Sequence, residues 1–108
     1  VSEKLAGAKL RHLKALAQKL DPLLHVGKNR LSPAFVQSVN DALDRRELIK
    51  VKFAEFKEEK KELAKELSEA TNSVVIQAVG HVVVLFRENA DPAKRVIFKP
   101  GRVDPSDG

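Results

Sequence analysis

The 108-residue sequence has no cysteine, no tryptophan and no tyrosine. Without cysteine there can be no disulfide, no thiolate zinc cluster and no thiol nucleophile, and a reducing compartment suits the chain. The only aromatics besides histidine are five phenylalanines. Phe35, Phe53, Phe56, Phe86 and Phe98 all fall at positions that read as core, so an aromatic platform for stacking bases is not expected. No apolar run approaches the roughly 18 residues of a membrane-spanning helix. The N-terminal stretch lacks the apolar centre of a signal peptide. Both observations point to the cytoplasm. No Gly-Lys-Ser/Thr phosphate loop and no His-Glu-x-x-His pair occurs, so nucleotide hydrolysis and zinc hydrolysis find no support.

What is present is a basic, moderately apolar chain. Apolar residues make up 43%, enough for one packed core. There are 20 Lys+Arg against 15 Asp+Glu, a formal charge of +5. The excess is one-sided. Residues 1–54 hold 11 basic and 5 acidic side chains, a net of +6; residues 55–108 hold 9 and 10, a net of −1. A one-sided positive field fits a polyanionic partner better than a small acidic ligand.

Residues 2–20 predict a helix, with Ser2 as its cap and Leu5, Ala8, Leu13, Leu16, Ala17 and Leu20 as its apolar stripe. Asp21-Pro22 ends it. Leu23 to Val26 are too few for a helix and suit a short buried strand. Ser32 caps a second helix, with Pro33 at its first position, running to about Arg46. Residues 48–54 alternate, with Ile49, Val51 and Phe53 on one face and Lys50 and Lys52 on the other, which predicts a strand with one basic face. Residues 57–70 predict a helix whose charge run is a solvated exterior. Two valine-rich strands, 74–79 and 82–86, flank Gly80-His81 and predict a tight hairpin of centrally placed or doubly covered strands. Residues 96–98 offer a short edge strand, and 100–108 a flexible tail. The order is α-β-α-β-α-β-β, an α/β fold with a four-stranded mixed sheet packed by helices, expected as one domain over residues 1–99.

The chemistry concentrates in Leu24-His25-Val26-Gly27-Lys28-Asn29-Arg30-Leu31-Ser32-Pro33. A strand, a tight basic loop and a helix N-terminus follow one another in ten residues. Such a junction presents backbone N–H groups and a positive dipole to an anion. Arg11, Lys14, Arg45, Arg46, Lys50 and Lys52 would extend it into one patch if their elements share its side, and a patch of that kind binds phosphate backbone with steep salt dependence. His12, His25 and His81 sit on separate elements without carboxylate company, so no metal site is expected. Asp41 and Asp44 have no apolar surroundings to adjust them for acid–base work. Ser32 reads as a cap. No catalytic set emerges, and neither a cofactor nor enzymatic activity is expected.

Leu10-Arg11-His12-Leu13-Lys14-Ala15-Leu16-Ala17, Val26-Gly27-Lys28-Asn29, Ala42-Leu43 with Glu47-Leu48-Ile49-Lys50-Val51-Lys52, and Val79-Gly80 with Val84-Leu85-Phe86-Arg87 together resemble the YhbY family of single CRM domains (chloroplast RNA splicing and ribosome maturation). The resemblance spans residues 2–99. It implies a fold similar to the C-terminal domain of translation initiation factor three. It also implies a KH-like GxxG loop clamping nucleic-acid backbone, and action on large-subunit ribosomal RNA or pre-ribosomal particles. Gly27, Lys28 and Asn29 match that loop. Arg30 stands where the family usually has glycine, so either the loop backbone differs here or Arg30 adopts a left-handed conformation. The expectation is a non-catalytic, monomeric RNA-binding protein using Gly27, Lys28, Asn29 and Arg30, supported by Arg11, Lys14, Lys50 and Lys52. A protein-interaction adaptor without nucleic-acid contact is the alternative.

Overall fold

In a computed structural model, residues 7–98 are described, the side chain of Lys57 excepted. The elements are α1 (Ala8–Gln18), β1 (Leu24–Val26), α2 (Pro33–Arg46), β2 (Leu48–Phe53), α3 (Lys60–Ala70), β3 (Val74–Val79) and β4 (Val82–Phe86). The α-β-α-β-α-β-β order is therefore the observed one. The sheet runs β1-β2-β4-β3. Parallel pairing joins β1 to β2, with Leu24 beside Val51 and His25 beside Lys52. The β2–β4 and β3–β4 pairs are antiparallel.

The side-chain alternation of β2 sets the layers. Ile49, Val51 and Phe53 enter a core shared with Val39 and Leu43 of α2 and Leu63 and Leu67 of α3. Leu48 points the other way, into a second cluster with Leu13 and Ala17 of α1, Val84, Phe86 and Ile76. Helices α2 and α3 thus cover one face of the sheet, and α1 covers part of the other. Fully burying a leucine such as Leu13 or Leu67 contributes roughly 1.5–3 kcal/mol.

Local signals explain the element boundaries. Ser32 Oγ accepts from the Phe35 N–H at 3.1 Å, with Pro33 following it in the first turn of α2. Arg45 and Arg46 end that helix, where positive charge complements the dipole. Gly80, at φ 58, makes the two-residue hairpin turn between Val79 and its partner Val82.

Four expectations need correction. The first helix begins at Ala8, because Gly7 at φ 67 and ψ −130 lies outside helical geometry; Ser2 lies outside the described residues, as does the tail 100–108. The third helix opens with a separate 3₁₀ turn, Lys57–Glu59. Strand β3 is an edge rather than a doubly covered strand, and Val79 is 64% exposed. Its unbroken apolar run conceals a bulge: Val75 pairs with Leu85 and Gln77 with Val84, so Ile76 is the extra residue.

Residues 96–98 form no strand. The buried carboxylate of Glu47 holds them instead. Its Oε1 accepts from Val96 N at 2.9 Å and Ile97 N at 3.1 Å, while Oε2 accepts from Asn89 N. Backbone donors that a strand would have paired in a ladder end on one side chain. Ile97 and Phe98 then pack against the α1 cluster.

Candidate nucleic-acid interface

The basic loop hangs from the end of the sheet. Val26 O, the last carbonyl of β1, accepts from Ala54 N at 3.1 Å and Glu55 N at 3.2 Å, which ties the loop's entry to the exit of β2. Gly27 O accepts from Arg30 N at 3.1 Å and closes a four-residue turn. Ser32 then starts α2. The loop is anchored at both ends, and only residues 28 and 29 form its tip.

Arg30 resolves the question of the loop's shape. It adopts φ 52, the left-handed conformation that a glycine would take there without strain. Its guanidinium lies 3.0 Å from Glu59 Oε2 and its carbon 5.1 Å from the Phe56 ring centroid. Both contacts reach it from the segment leading into α3. They offset the cost of the backbone, which is of order 1–2 kcal/mol. Arg30 is therefore engaged within the protein. Lys28 and Asn29 are exposed, and their side chains make no hydrogen bond or ion pair among the described residues. A Cβ added at Gly27 would meet nothing within 4 Å, and its φ is not left-handed. The fold itself does not demand a glycine there, so bare backbone is left for something outside to approach.

The other basic residues divide. Lys52 is exposed beside His25, two residues before Gly27, on the sheet face that α1 shares. Lys50 points to the same face, but its Nζ donates to Leu20 O at 2.9 Å and ties down the chain after α1. Arg11 and Lys14 project from α1 on the flank away from His12 and Lys9, which both meet Phe98. Arg45 and Arg46 end α2 next to the start of β2, and the loop lies beyond its far end, about 17 Å along the strand. One continuous patch is therefore not formed: α1 and α2 lie on opposite faces, and Arg45 and Arg46 sit at the other end.

Sequence reasoning passed over two groups. Glu55, Glu58 and Glu59 flank the loop on the α3 side; their spacing gave no sign that the chain folds back beside residue 30. Arg87, quoted only for its resemblance value, is a clamp. It donates to Asn40 Oδ1 (2.8 Å), Thr71 O (2.6 Å), Asn40 O (3.0 Å) and Asp44 Oδ1 (2.7 Å), joining α2 to the end of α3. Among the described residues no three histidines, aspartates or glutamates gather as metal ligands would.

The arrangement of helices, the mixed four-stranded sheet and the loop between β1 and α2 meets its counterpart in known proteins. The CRS1/YhbY (CRM) domain matches residues 5–87. The chain belongs to the CRM domain family. It is 32% identical over 88 residues to Probable RNA-binding protein YqeI of Bacillus subtilis, covering 81% of this chain and 92% of that one. It is 39% identical over 100 residues to Probable RNA-binding protein MJ0652 of Methanocaldococcus jannaschii, covering 90% and 74%. The solution structure of SAV1595 from Staphylococcus aureus, described as a candidate RNA-binding protein, superposes with a TM-score of 0.66 at 39% identity, covering 80% of this chain and 91% of that one. The CRM assignment gives the α-β-α-β-α-β-β order and the mixed sheet a shared family architecture.

Proposed function

We propose that this CRM domain binds RNA without catalysis, and that the loop at residues 27–30 is its backbone clamp. The observation that carries the reading is the preset turn. Gly27 O and Arg30 N close it, Glu59 and Phe56 hold Arg30 in its left-handed conformation, and Lys28 and Asn29 stand exposed at the tip with no side-chain partner among the described residues. A preorganised tip loses little freedom on binding. Bare backbone at Gly27 and the N-terminus of the 14-residue α2 offer donors to a phosphate, and Lys28 offers charge. In this reading Lys28 and Asn29 touch the RNA, Arg30 sets the loop's shape, and Lys52, Lys14 and Arg11 add charge. The names of YqeI, MJ0652 and SAV1595 support RNA as the ligand class.

We further propose that the RNA is large-subunit ribosomal RNA or its precursor, engaged by a monomer in the cytoplasm during subunit assembly. This rests on the resemblance to the YhbY family. The test of the clamp is Lys28→Glu, expected to weaken RNA binding at least tenfold while thermal unfolding stays unchanged. Unchanged binding and an unchanged salt slope would remove the loop as the site. Sedimentation of the tagged protein with large-subunit precursors in a gradient tests the ribosomal role; free sedimentation at low salt would refute it.

A further inference from the structure

One row of the sheet stays open beside α1. Strand register places His25, Lys52, Val82 and Val79 side by side across β1, β2, β4 and β3, on the face that α1 shares. The next rows, with Leu48, Val84, Phe86 and Ile76, are the ones α1 covers. His25, Lys52 and Val79 are exposed and Val82 is partly so. The row is about 14 Å wide, three inter-strand spacings. Its β1 end lies two residues from Gly27.

Charge differs on the two sides of the loop. Toward the α3 face Glu55, Glu58 and Glu59 alternate with lysines in a charge-balanced run, with Glu59 paired to Arg30 and Lys60 Nζ donating to Gly80 O at the hairpin turn. Toward the α1 face stand Lys52 and, on α1, the exposed Arg11 and the half-buried Lys14. A phosphate chain held at the tip meets balanced charge on the first side and is drawn to the net positive charge of the second. Beyond Lys52 the row turns apolar at Val82 and Val79. An apolar floor bordered by basic side chains fits a strand whose bases are unpaired and whose phosphates lie at the border; a duplex, with its bases hidden, gains nothing from the valines.

We propose that the His25–Lys52–Val82–Val79 row is the track of a single RNA strand leaving the loop, with phosphate on Lys52 and bases on the two valines. The track rests on the loop being an RNA clamp.

Titration of the isotope-labelled protein with a randomised ten-nucleotide single-stranded RNA at low salt tests it. Amide shifts are expected at Lys28 and Asn29 and also at His25, Lys52, Val79 and Val82, with residues 55 and 58 little affected. Lys52→Gln is expected to lower the slope of log K against log salt by about 0.7, the single-strand value for one phosphate. Val79→Ser is expected to weaken binding about three- to tenfold at an unchanged slope. Both side chains are exposed, so thermal unfolding should match the parent. Shifts at the loop without the row, or an equal response to a ten-base-pair duplex, would overturn the track and leave the clamp standing. No shift at either place would overturn the clamp and the track together.

Discussion

The two ends of the sheet use their polar groups in opposite ways. At the end where β2 begins, Arg87 makes four side-chain hydrogen bonds and Glu47 accepts from three backbone N–H groups. At the end where β2 finishes, Lys28 and Asn29 make none among the described residues. Arg87 is 20% exposed at its side chain and Glu47 1% exposed as a residue. A polar group that is buried must find its partners inside the protein, because leaving it unsatisfied costs about 1–3 kcal/mol. A group held on an exposed turn is free to find them outside. Stability is thus concentrated at one end and available chemistry at the other.

Truncation should separate them. Arg87→Ala has the largest expected effect on stability, about 2–4 kcal/mol, because Asn40, Thr71 and Asp44 lose a shared donor and α2 loses its tie to α3. Denaturant unfolding should read that loss, while RNA affinity per folded molecule stays at the parent value. Glu47→Ala follows, at about 1–3 kcal/mol, since it orphans the N–H groups of Asn89, Val96 and Ile97. Hydrogen exchange at those three amides should accelerate more than exchange in β2. Lys28→Gln should shift stability by less than about 0.5 kcal/mol, as an exposed side chain does when it has no partner among the described residues. Arg30→Gly has the smallest expected net effect on stability. Relief of left-handed strain is set against glycine's unfolded-state entropy of about 0.5–1 kcal/mol and the loss of the Glu59 and Phe56 contacts. Its signature should be dynamic: relaxation measurements should find residues 27–30 more mobile, with weaker RNA binding as the loop loses its preset shape.

Much of this contrast escapes a linear reading. The element order was legible because each element announces itself locally: Ser32-Pro33 starts a helix, residues 49–53 alternate, and Gly80 punctuates two valine runs. Long-range facts were less legible. The apolar run of β3 reads like a central strand because a bulge and an edge position leave no mark on composition. Residues 96–98 look like a strand because the carboxylate that captures their N–H groups sits some fifty positions earlier. Arg30, Lys28 and Arg87 are equally basic as letters. What separates them is Glu59 beside the first, no partner among the described residues beside the second, and Asn40, Asp44 and Thr71 around the third. The loop itself was found from its sequence. Its conformation at Arg30 required the neighbours that fold back onto it.

The central claim is that the open end carries RNA binding and the closed end carries stability. The most direct test is the salt dependence of single-stranded RNA affinity for Lys28→Gln, measured beside its unfolding free energy and beside Arg87→Ala. The account predicts that Lys28→Gln lowers the salt slope by about 0.7 with unfolding unchanged, and that Arg87→Ala unfolds more easily with its slope intact. The reverse pattern, a lost slope at Arg87 and an unchanged one at Lys28, would contradict it.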